Sequence, residues 1–121
     1  MSAKQACMAI VDQRSGGVFT GVEAVHLVLT TYAKGLPVES QGDMSAGMPP
    51  ETLVWVVEVH AREVYMARSF QPGNQPTGPT PTDYSVVMNA RTGQGTDSGE
   101  CDCWPLSLST VGTLVSLPPT C

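Results

Sequence analysis

At 121 residues the chain has the length of one domain with a single core of ordinary size. Charged residues make up 14%, against about 25% in a typical globular protein, and the formal net charge is -5. With six Lys and Arg, eleven Asp and Glu and no basic run, nucleic acid and anionic membrane are expected to be poor partners on electrostatic grounds. No apolar run approaches the roughly 18 residues of a spanning helix, so no membrane insertion is expected. Met1-Ser2-Ala3-Lys4 leads into a mixed segment that lacks the apolar core of a signal peptide.

In chain order, Ser2 and Gln5 have the spacing of a capping box. Ala3, Ala6, Cys7, Ile10 and Val11 recur at helical spacing, predicting a short amphipathic helix that stops at Arg14-Ser15-Gly16-Gly17. Thr20 and Glu23 form a second capping box, followed by a stripe of Val22, Val25, Leu29 and Tyr32 widened by Val28 and Ala33. With Lys34, Gly35 and Pro37 as stop signals, this predicts a helix over 22–34 whose Val25 and Leu29 pack on a sheet. The Gly-, Ser- and Pro-rich segment 39–50 reads as a loop.

Thr52–His60 is the clearest strand: Leu53, Trp55, Val57 and Val59 alternate with Val54, Val56, Glu58 and His60. One face is apolar throughout and the other ends in two polar groups, so the second face is expected to be partly open. Segment 61–70 carries Val64, Tyr65 and Phe70 among charges and reads as a strand end. Residues 71–81, with four prolines and two glycines, predict an exposed excursion between two antiparallel strands. Asp83–Ala90 alternates again, Arg91-Thr92-Gly93 predicts a tight turn, and a shorter strand should follow over 94–98. The tail 104–121 reads as an edge strand or extended wrap with Trp104 as its anchor.

This order, with Asn89-Ala90-Arg91-Thr92-Gly93 closing the later strand and Trp55–Val59 in the one before, resembles a PepSY-type domain, the small module of peptidase propeptides and bacterial lipoproteins. The resemblance spans residues 20–98, and Asn89 stands where the family usually has Asp, which keeps the turn chemistry and removes a charge. It implies a helix preceding an antiparallel sheet, an extracytoplasmic setting, and binding or inhibition rather than catalysis, with no catalytic set to transfer.

Cys7, Cys101, Cys103 and Cys121 allow three pairings. A bond between Cys101 and Cys103 closes a small, strained ring, so each is expected to pair with one of Cys7 and Cys121. Disulfides place the protein outside the cytoplasm, and free thiols would place it inside. Cys101-x-Cys103 could also bind metal or exchange thiols, but it lacks the CxxC spacing and recognisable further ligands.

Glu58 and His60 lie two apart on one strand face and could share a proton, with His26 or Asp83 as neighbours. Two histidines without metal-ligand spacing specify nothing further, so the simplest expectation is a solvated strand end. No cofactor is expected, since there is neither a glycine-rich phosphate loop nor a nucleophile elbow.

Together these observations predict one α+β domain over residues 1–121: one or two helices on one face of an antiparallel sheet of three to five strands, an excursion at 71–81 and a cysteine-containing tail at 101–121. The expected function is a non-catalytic binding or inhibitory module for a protein or cell-envelope ligand, using Glu58, His60, Tyr65 and Tyr84 as contact residues. The alternatives are a small hydrolase or lyase with Glu58 and His60 as acid–base pair, and a purely structural envelope domain.

Overall fold

A computed structural model describes residues 1–11, 19–39, 47–64 and 81–121. The chain runs through helix α1 (Ala3–Val11), strand β1 (Phe19–Thr31), helix α2 (Tyr32–Glu39), strands β2 (Leu53–Val64), β3 (Asp83–Asn89) and β4 (Gly95–Cys101), a 3₁₀ turn (Leu108–Thr110) and strand β5 (Val115–Leu117). The five strands form one antiparallel sheet in the order β4-β3-β2-β1-β5. This is the α+β class that the sequence predicts, with two helices.

Period two along the strands divides the core in two. Val25 and Leu27 of β1, Trp55, Val57 and Val59 of β2, and Tyr84, Val86 and Met88 of β3 pack with Ala6, Cys7, Ile10 and Val11 of α1. On the opposite face Val28, Val54, Val56 and Val87 pack with Tyr32 and Leu36 of α2 and with Leu108 of the tail. The helices therefore cover one face each, which corrects the expectation that they share a single face: β2 and β3 carry apolar side chains on both sides, and each side needs its own cover.

α1 begins as its sequence requires: Gln5 N–H donates to Ser2 Oγ at 3.1 Å and Ser2 N–H donates to Gln5 Oε1 at 2.7 Å. Its expected stop at residues 14–17 lies outside the described residues.

The helix expected over 22–34 is a strand instead. Val22, Val25, Val28, Thr30 and Thr31 are β-branched, and their preference for a pleated, half-buried surface outweighs a helical stripe and an apparent capping box. A register shift between Val22 and Ala24, next to Gly21 at φ +65°, lets Val25 and Leu27 face the core. Of the two residues expected to pack on the sheet from a helix, Val25 is buried in the core, whereas Leu29 is 45% exposed.

Lys34, Gly35 and Pro37, read as stop signals, lie inside α2. Tyr32 and Ala33 at its start donate their N–H groups to the carbonyls of Thr52 and Pro50, at 2.8 and 3.0 Å. Gly35 is there because α2 lies against the sheet: a Cβ at this position would come within 2.7 Å of Val56 Cγ2.

The two later hairpin strands meet expectation, with β2 and β3 antiparallel neighbours from Val54↔Asn89 to His60↔Asp83. Most of the excursion, 71–80, lies outside the described residues. Asn89 makes the β3–β4 turn through its side chain, whose Oδ1 accepts the N–H groups of Arg91 and Thr92 at 2.8 and 3.2 Å, while Gly93 adopts φ +77°. An Asp oxygen would accept the same bonds. β4 continues to Cys101 rather than ending at Ser98-Gly99.

The tail crosses the α2 face and then supplies the edge strand β5, paired with β1 over Val25–Leu27. Leu108, fully buried, is its deepest anchor, and Trp104 lies half-exposed among side chains described below.

Candidate functional site

The register of the sheet, rather than any local motif, assembles the polar residues of the α2 face. His60 of β2 lies opposite Asp83 of β3, which in turn lies opposite Cys101 of β4. One step along, His26 of β1 is opposite Glu58, Glu58 opposite Ser85, and Ser85 opposite Gly99. Two adjacent rows thus run across the sheet with their side chains on the same side.

This face is not open. The tail passes over it, with Leu106 N–H between the two oxygens of Glu58, at 2.9 Å to Oε2 and 3.1 Å to Oε1. The Trp104 ring lies 4.3 Å from His26 and 4.9 Å from His60, centroid to centroid, nearly parallel to the second. From the other side Glu39, at the end of α2, accepts the Ser85 hydroxyl at 2.9 Å. Glu58 and Asp83 are fully buried and Glu39 and Ser85 nearly so. A solvated strand end, the simplest expectation for Glu58, is therefore excluded.

Two buried carboxyl groups side by side cannot both ionise cheaply. Burial, then a hydrogen bond to Glu58, then the Glu58 charge push Asp83 up from 3.8 to about 9. At neutral pH Asp83 is thus a carboxylic acid and a donor toward Glu58. Its Oδ1 is buried without a hydrogen-bond partner among the described residues, which suits a carboxyl group that is protonated rather than charged.

On the far side of Asp83 stand two sulfurs: Oδ2 lies 3.2 Å from Cys103 Sγ and 3.8 Å from Cys101 Sγ. Asp102, between the cysteines, accepts both the N–H and the hydroxyl of Thr82 through Oδ1, at 3.1 and 3.3 Å, and pins the segment to the start of β3. Asp83, Cys101 and Cys103 bring potential metal-ligand atoms within 4.8 Å of one another. Bonded to each other, however, the sulfurs offer no thiolate, and the trio in this form is not a metal site.

The pairing expected for the cysteines is overturned. Cys7 bonds Cys121, with Cα atoms 5.8 Å apart, and Cys101 bonds Cys103, with Cα atoms 5.3 Å apart. The reason is topological: Cys7 lies on the α1 face, which the chain end reaches by way of β5, whereas Cys101 faces the α2 side from β4.

Of the other expected contact residues, His60 is partly exposed, its Nε2 3.4 Å from Glu23 Oε2, and its Nδ1 is buried without a hydrogen-bond partner among the described residues. Tyr84 is buried on the α1 side, away from Glu58, where burial pushes its phenol above the ordinary value. Tyr65 lies outside the described residues. The sequence reading missed the part played by Trp104, Leu106 and Glu39. The available signal was Trp104 itself, a large aromatic anchor directly after Cys-Asp-Cys.

A second feature lies at the far end of the sheet on the α1 side. Leu53 is 54% and Leu29 is 45% exposed, and as diagonal neighbours on adjacent strands they are roughly 7–8 Å apart. With Met1, Thr52, Asn89, Ala90 and Arg91 they line an open groove of about 590 Å³. None of these residues was singled out for binding by sequence.

No described helix is long and apolar enough to cross a membrane. Compared with known proteins, the chain matches no protein-family model, no curated protein and no solved structure.

Proposed function

We propose that the domain is a binding module whose ligand is a protein, and that its work at this contact is non-catalytic. The observation that carries this reading is the pair of exposed leucines, Leu29 and Leu53, side by side on the wall of an open groove. Large apolar side chains exposed together mark places where apolar groups of another molecule are received. Arg91 on the same wall adds a cation that favours an acidic residue in the bound segment.

The hydrolase or lyase reading is disfavoured because Glu58 is fully buried, with the Leu106 N–H of the tail across both its oxygens, so a substrate does not reach it. The resemblance to PepSY-type domains, carried by the Asn89–Gly93 turn, agrees with binding or inhibition. Two disulfide-bonded pairs favour an extracytoplasmic location.

The test uses short apolar peptides, with and without an acidic residue, followed by amide chemical shifts. Binding should displace the signals of Leu29, Leu53, Ala90 and Arg91, and Leu53→Asp should weaken it at least tenfold. Because Leu53 is exposed, the same change should alter stability by only about 0.5 kcal/mol. Shifts scattered over the sheet, or unaffected by Leu53→Asp, would reject the groove.

A further inference from the structure

The two disulfides differ in kind. Cys7 and Cys121 are 114 positions apart, so their bond restrains nearly the whole unfolded chain, whereas Cys101 and Cys103 are two apart and restrain it far less. The fold therefore gains little from the second bond, and its surroundings suit reaction rather than reinforcement. Cys101 and Cys103 are half-buried at the end of the edge strand β4, on either side of the exposed Asp102. Directly behind them stands a fully buried carboxyl group, with Asp83 Oδ2 at 3.2 Å from one sulfur and 3.8 Å from the other. Thr82 and Asp102 hold the segment in place on this carboxyl.

We propose that Cys101 and Cys103 are a redox-active pair that oxidises a substrate bearing two thiols, with Asp83 delivering a proton to the departing Cys103 sulfur. The substrate thiolate attacks Cys101 Sγ, on the side away from Cys103. The bond between the two cysteines breaks, and its electron pair leaves with Cys103 Sγ, which takes the proton of Asp83. The second substrate thiol, whose proton reaches the buried Asp83 carboxylate by way of solvent, attacks the substrate sulfur of the mixed disulfide. Cys101 departs as a thiolate and takes up the proton that the first thiol gave to solvent. Two electrons pass from the dithiol to the protein, the substrate becomes a disulfide, and Asp83 is protonated again.

Asp83 is suited to this because it is neutral when the leaving sulfur needs a proton. The groups facing it are Glu58 and His60 from β2 and the two sulfurs at the end of β4, with Glu39 of α2 beyond Ser85. This inference is independent of the groove at the other end of the sheet.

The test treats the oxidised protein with dithiothreitol, traps thiols by alkylation and follows each pair by peptide mass. Cys101–Cys103 should open while Cys7–Cys121 stays bonded and circular dichroism is unchanged, and Asp83→Asn should slow the opening by tenfold or more. If Asp83→Asn does not fold, the native protein still decides. Its rate constant per dithiothreitol thiolate should stay level below the Asp83 midpoint and fall above it. A Cys101–Cys103 bond that opens only on global unfolding, a rate per thiolate that ignores pH, or an Asp83→Asn protein that reacts at the native rate would each overturn the proposal. So would one equivalent of zinc held by the reduced protein with both thiols protected, which would make the trio a metal site instead.

Discussion

Replacing Cys7 and Cys121 together by serine is expected to remove much of the protein's stability, whereas replacing Cys101 and Cys103 should remove little. The first bond joins α1 to the chain end across 114 positions. In the loop-entropy account a loop of about 100 residues is worth roughly 4.7 kcal/mol, against under about 2 kcal/mol for a loop of three. For a domain with a typical total of about 5–15 kcal/mol, losing the first bond lowers the melting temperature by roughly 15 °C or more. Cys7 is also fully buried among Ala6, Ile10 and the β1–β2 valines, so serine there adds the cost of a hydroxyl in an apolar setting. The measurement is thermal unfolding of the two double variants beside the parent. Equal losses in both would contradict the division between a restraining bond and a reactive one.

Glu58→Ala is the second large effect expected. The substitution deletes a fully buried side chain, strips the Leu106 N–H of its acceptor and leaves Asp83 without the carboxylate it donates to. The cavity left by a buried side chain and a buried N–H without an acceptor together cost roughly 3–5 kcal/mol. Glu58→Gln keeps one acceptor oxygen and should cost about 1–2 kcal/mol. Denaturant unfolding of the two variants gives both numbers, and a near-neutral Glu58→Ala would mean that the tail is not held through this carboxylate.

Local alternation carried most of what the sequence revealed. Thr52–His60 and Asp83–Ala90 read correctly as antiparallel neighbours because alternation and turn chemistry agree there, and Asn89 and Gly93 announce their turn by residue type alone. The stretch 19–31 misled because helical spacing and strand alternation coexist in it. Val25, Leu29 and Tyr32 lie close to one helical stripe, while Val25 and Leu27 share a strand face. Only the demand for a partner along β2 decides between them. The candidate site was half legible: Glu58, His60, Asp83 and the two close cysteines were all singled out. Their assembly depends on cross-strand register and on where the tail lies, which no local pattern encodes. The cysteine pairing failed for the same reason, since chain distance says nothing about which face of a sheet a sulfur occupies.

The buried carboxyl pair also sets the sign of the pH dependence. Asp83 is raised from 3.8 to about 9 in the folded protein, so between those values the folded state holds a proton that the unfolded chain has released. Its stabilising contribution is complete below the unfolded value and is lost progressively as pH rises toward about 9. The most direct measurement of this arrangement is a carbon-13 titration of the Asp83 side-chain carboxyl in the oxidised protein. A midpoint on the alkaline side of neutrality, displaced downward by Glu58→Gln, is the result expected. A midpoint near 4 that Glu58→Gln leaves unmoved would contradict it.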